Sequence, residues 1–72
     1  MIFADTLRTN DAIKYNNEVA FKIDNEPSDC RRFLVNCVTA SGSPLKLKFD
    51  TKVELIGKRW DYEATEAKEE EN

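Results

Sequence analysis

The sequence predicts a small β-rich α+β domain: an antiparallel sheet of three to five short strands with at most one short helix. Three observations carry that prediction. Leu45, Leu47 and Phe49 alternate with Lys46, Lys48 and Asp50, so a pleated strand would turn apolar side chains to one face and charges to the other. FLVNCVT (33–39) is rich in β-branched and aromatic residues, with Phe33, Val35, Cys37 and Thr39 on one face and Leu34, Asn36 and Val38 on the other. Both faces are mostly apolar, which describes a central strand covered on both sides. Between these runs, Ala40-Ser41-Gly42-Ser43-Pro44 supplies a glycine for positive φ and a proline that halts ladder pairing, as a hairpin loop requires.

Residues 1–17 are the hardest to read. Ile2 and Phe3 could cover a sheet edge, and Thr6 or Asn10 could cap a short helix or irregular segment packed through Leu7 and Ile13. Asn10-Asp11 and Asn16-Asn17 are turn-forming pairs. EVAFKID (18–24) alternates Val19, Phe21 and Ile23 with Ala20 and Lys22 and reads as a strand. Asn25-Glu26-Pro27-Ser28-Asp29 reads as a polar loop, because Pro27 pushes Glu26 into an extended conformation. Residues 29–40 also fit a helix, with Cys30, Phe33, Leu34, Cys37 and Val38 on one face, Ser28 as N-cap and Gly42 and Pro44 as stops. The β-branched content, the off-face Val35 and Arg31-Arg32 in the first turn favour the strand. After a second tight turn at Asp50-Thr51, KVELI (52–56) alternates again, and Gly57 permits a bulge before a short last strand with Trp60 and Tyr62 on one face. Two architectures fit: a curled SH3-like or OB-like small barrel, and a sheet covered by one helix.

At 72 residues the chain forms one domain at most, expected over residues 1–62. The net charge of −3 is unevenly spread: EATEAKEEEN (63–72) carries five Glu against one Lys, whereas residues 1–62 hold ten basic and nine acidic side chains. A segment so acidic, with no apolar side chain larger than Ala, is expected to be a disordered tail. Met1 to Ala4 is followed at once by Asp5, so no signal peptide or membrane span is expected there, and a cytoplasmic monomer is the expected state. Cys30 and Cys37 are separated by about 23 Å along a strand or about 10 Å along a helix, too far for a bridge in either case. Both thiols are expected to be reduced, with Cys37 in the core.

The chain has no His, so it lacks the commonest general base and metal ligand. Two Cys seven residues apart do not make a zinc site, and two isolated glycines do not make a phosphate-cradling loop. Non-enzymatic binding, without metal or cofactor, is therefore the expected mode of action. The candidate partner-binding residues are Arg31, Arg32, Lys58, Arg59, Trp60 and Tyr62, since Arg, Trp and Tyr dominate binding hot spots. Lys46 and Lys48 on the solvent face would protect a sheet edge or add to a basic patch beside Trp60 and Tyr62. Such a patch would suit single-stranded nucleic acid, although the near-neutral balance of residues 1–62 speaks against that partner.

With FLVNCVTASGSPLKLKF at its centre, no catalytic set and the acidic EATEAKEEEN at its end, the chain resembles the small host-takeover proteins of bacteriophages that bind bacterial RNA polymerase. The resemblance implies contact with the polymerase in the host cytoplasm, blockage or displacement of a factor such as sigma, and inhibited initiation or altered termination. Those proteins share no sequence signature, so the resemblance transfers no residue roles. The competing expectations are a nucleic-acid-binding small barrel and a structural or assembly subunit.

Overall fold

The computed structural model describes residues 1–62, so the expected acidic tail lies outside the described residues. The fold is a six-stranded antiparallel sheet: β1 (Ile2–Phe3), β2 (Asp11–Tyr15), β3 (Glu18–Lys22), β4 (Leu34–Thr39), β5 (Pro44–Lys48) and β6 (Lys52–Lys58). A 3-10 turn at Ala4–Thr6 and one short helix, α1 (Pro27–Arg31), complete it, and residues 59–62 are helical. The strand count exceeds the expected three to five because residues 1–17 contribute β1 and β2 where a short helix or irregular segment was expected. Leu7 and Ile13 do reach the core from there.

Strand order is β1-β6-β2-β3-β4-β5. In a flat sheet β5 and β6 would stand four spacings apart, about 19 Å. The chain from Lys48 to Lys52 can span only about 14 Å, so the sheet must curl. The N-terminus fastens that link, with the Ala4 N–H donating to the Thr51 carbonyl at 2.7 Å and the Asp5 N–H to the Phe49 carbonyl at 3.3 Å. The curl stops short of a closed barrel, since β1 and β5 do not pair.

Local chemistry sets the turns. Asn16 and Asn17 both have positive φ, 52° and 63°, as a two-residue hairpin between Tyr15 and Glu18 needs. Gly42, at φ 94°, turns the β4–β5 hairpin in the loop the sequence marks. Pro27 occupies the start of α1 instead of a plain loop, because its fixed φ suits a first helical turn. The Asp29 carboxylate reaches back to accept the Glu26 N–H at 2.8 Å.

The core packs Leu7, Ile13, Ala20, Val35, Cys37, Leu47 and Val53 on the inner face of the curl. β4 is a strand, as its composition favours, and Val35 and Cys37 are fully buried. On β3 the inner position falls to Ala20, while Phe21 is buried on the outer face. Asn36, on the outer face of β4, is covered by the segment before α1. Its N–H donates to Asn25 Oδ1 at 2.9 Å and its side-chain amide to the Asp24 carbonyl at 3.1 Å. Both cysteines are free, and burial pushes the Cys37 thiol from its ordinary 9.0 up to about 11.

Candidate docking surface

The six residues expected to bind a partner fall into two places. Arg31 and Arg32 end α1, whereas Lys58, Arg59, Trp60 and Tyr62 follow the bulge at Gly57. Lys58 is the last residue of β6, and Arg59, Trp60 and Tyr62 lie in a helical turn where the sequence suggests a short last strand. Pairing with β2 continues past the register shift between Ala12 and Ile13 as far as the Arg59 N–H, which donates to the Asn10 carbonyl at 2.8 Å, and Asp61 accepts the Lys58 N–H at 3.4 Å to start a helical turn.

Most of that turn's polar groups are spent on the protein itself. Lys58 Nζ binds the buried Asp11 carboxylate at 2.5 Å. Burial pushes that carboxyl up, but the hydrogen bonds from Lys58 and the Arg8 N–H, with the charges of Lys58 and Arg8, outweigh it and hold Asp11 below its ordinary value. The Arg59 guanidinium lies over the Phe21 ring at 5.1 Å, and the Tyr62 hydroxyl donates to the Ile56 carbonyl at 3.0 Å. Trp60 is exposed. Arg59 thus closes over the outer-face Phe21, Tyr62 ties the chain end back to Ile56, and Lys58 ties it to Asp11 on β2.

A surface that the sequence did not single out lies at the α1–β4 junction. After α1 the Arg32 N–H donates to the Ser28 carbonyl at 3.2 Å, and Phe33 takes φ +57°, the left-handed position that closes a helix and usually belongs to glycine. For a side chain as large as Phe this conformation costs roughly 1–2 kcal/mol. Phe33 is 66% exposed there, and its ring meets that of Phe49 edge to face at 5.8 Å. Phe49 separates two shallow depressions. One, of about 450 Å³, is lined by Arg32, Phe33, Lys48, Phe49 and Asp50. The other, of about 260 Å³, is lined by Phe3, Asp5, Phe49 and Asp50. Lys52 Nζ lies 5.6 Å from the centroid of the half-exposed Phe3 ring.

Three phenylalanines are thereby brought together from the first strand, the end of α1 and the end of β5, and Arg32 is the one expected site residue that lines the same surface. Phe33 was expected on a strand face; the missed signal was its place one residue beyond a capped helical turn. Lys46 is exposed as expected, and it also binds Asp29 at 2.7 Å. The hydrogen bonds from Lys46 and from the Glu26 N–H hold the Asp29 carboxyl below its ordinary value. Among the described residues, no three Cys, Asp or Glu side chains cluster so as to hold a metal, and no helix is long and apolar enough to cross a membrane. Comparison with protein-family models, curated proteins and solved structures found no match.

Proposed function

We propose that this chain is a non-catalytic binding module that docks on another protein through Phe33, Phe49 and Phe3, with Arg32 and Lys48 at the rim. One observation carries the reading: Phe33 combines a costly left-handed backbone with a residue left 66% exposed. Folding alone gains little from a phenylalanine there, and glycine would close α1 more cheaply. An aromatic cluster with two exposed members, Phe33 and Phe3, around the half-buried Phe49, ringed by charges of both signs, has the make-up of a protein-binding hot spot. The partner we propose is bacterial RNA polymerase, with the chain acting as a phage-type regulator of initiation or termination. That choice is supported by the sequence resemblance and not by the fold.

A second reading is single-stranded nucleic acid stacked on Phe33 and Phe49, favoured by Arg32 and Lys48 beside the rings. Asp5 and Asp50 in the same depressions work against phosphate. The test is Phe33→Gly in an affinity capture from bacterial lysate, with polymerase subunits scored by mass spectrometry. Capture of polymerase by the wild type and its loss in the variant, at a stability within about 1 kcal/mol of wild type, is the expected result. Equal capture by both proteins overturns the surface assignment. Salt-sensitive binding of an oligothymidine that needs Phe33 would favour the second reading instead.

A further inference from the structure

We infer that the free edge of β5 is a strand-addition site for an extended segment of a partner protein in which acidic and apolar residues alternate. The inference rests on the phenylalanine surface being the docking site and states how its partner is held.

The hydrogen-bond parity of the sheet leads to this assignment. The Thr39 N–H donates to the Ser43 carbonyl at 2.8 Å and the Phe49 N–H to the Phe33 carbonyl at 2.9 Å. With the register Val35 to Leu47 and Cys37 to Leu45, these bonds make the odd-numbered residues of β5 the ones that bond β4. The main-chain groups of Pro44, Lys46 and Lys48 therefore point away from β4. Among the described residues no strand lies beyond them. Lys48 spends its carbonyl on the Thr51 N–H at 3.0 Å, and Pro44 has no N–H. What remains open is the Pro44 carbonyl, both Lys46 groups and the Lys48 N–H, spread over about 13 Å. That length suits a partner strand of about four residues.

The side chains specify the occupant. Lys46 and Lys48 stand on the outer face of the edge, and Leu45 and Leu47 on the inner face. An added strand would set alternate side chains beside the lysines and the others beside the leucines, so acidic and apolar residues complement it. A second copy of β5 would bring lysine against lysine, which disfavours self-pairing. Lys46 is already held by Asp29, whereas Lys48 has no ion pair among the described residues and stands where the edge runs into the Phe33–Phe49 depression. A strand laid on β5 therefore delivers its next residue onto the exposed Phe33 and the half-buried Phe49.

The experiment adds an amidated hexapeptide of alternating glutamate and valine to the labelled protein and follows amide hydrogen exchange residue by residue. The Lys46 and Lys48 amides should slow by about tenfold or more, while those of Leu45 and Leu47, already bonded to β4, change by less than about twofold. N-methylation of the peptide at one alternate set of positions should weaken binding by about tenfold and at the other set by less than about threefold. Lys48→Pro, which removes an outward donor and no β4 bond, should weaken binding by about tenfold while the β4–β5 amides stay protected. Absence of slowing at Lys46 and Lys48, or equal binding of a lysine-valine peptide, overturns the inference. Loss of partner capture in Phe33→Gly together with no slowing at β5 would reject strand addition and leave the docking surface standing. Slowing at β5 with capture unchanged in Phe33→Gly would support the edge site and reject the surface.

Discussion

At the end of β6, Arg59 covers Phe21, Lys58 neutralises Asp11 and Tyr62 ties back to Ile56. At the α1–β4 junction, Phe33 stands in water on a left-handed backbone, with Arg32 and Lys48 lining the depression beside it. Both regions combine an aromatic ring with basic side chains, the composition associated with binding. They differ in where the contacts go. In the first, cation and ring satisfy each other and close the outer face of the sheet; in the second, Phe33 meets Phe49 edge to face and stays mostly exposed. Residue type alone therefore does not define a docking site. What separates the two is whether the folded chain has already used the groups.

The sharpest test of that contrast sets two phenylalanines against each other. Phe21→Ala should cost about 3–5 kcal/mol in urea unfolding, since it empties a buried site, and would leave much of so small a domain unfolded. Phe33→Gly should leave stability within about 1 kcal/mol, because relief of the backbone offsets the lost contact with Phe49. Equal costs would erase the distinction. Lys58→Met should come next, at about 1 kcal/mol, because Asp11 keeps the Arg8 N–H and Lys58 is half exposed. Its effect should fall on stability, with partner capture unchanged.

Smaller effects follow from titration. The Cys37 thiol is held protonated in the fold, so the stability it contributes is whole below pH 9.0 and is lost as pH rises toward about 11. Cys37→Ala should flatten that alkaline limb of a stability profile, whatever it does to the midpoint at pH 7. Asp29 is shifted the other way, so its contribution is present above its ordinary 3.8 and is lost as pH falls through the lowered value. Asn in place of Asp29 should remove part of the acid slope, and an unchanged slope would show that the pairing with Lys46 contributes nothing.

Some of the fold was legible because it rests on local pattern. Leu45, Leu47 and Phe49 against Lys46 and Lys48 report a strand from spacing alone, and Asn16-Asn17 and Gly42 report turns because few other residues adopt those dihedrals. Ile13 could not be placed on β2 in the same way. Its strand is short and itself contains Asp11 and Lys14, and it forms because β3 and β6 flank it on both sides. For the candidate site, Arg32 was recognised by its charge, whereas Phe33 and Phe49 read as ordinary core residues.

The sequence by itself determined an antiparallel, β-rich domain with one small core, because alternation and turn residues act within a few positions of the chain. Only the tertiary structure decided that β5 and β6, though joined by a tight turn, do not pair and stand four places apart in the strand order, that Lys58 and Arg59 would be consumed by Asp11 and Phe21, and that Phe3, Phe33 and Phe49 would share one surface. Each of those outcomes depends on contacts between residues far apart in sequence, set by the curl of the sheet, and no local pattern encodes them.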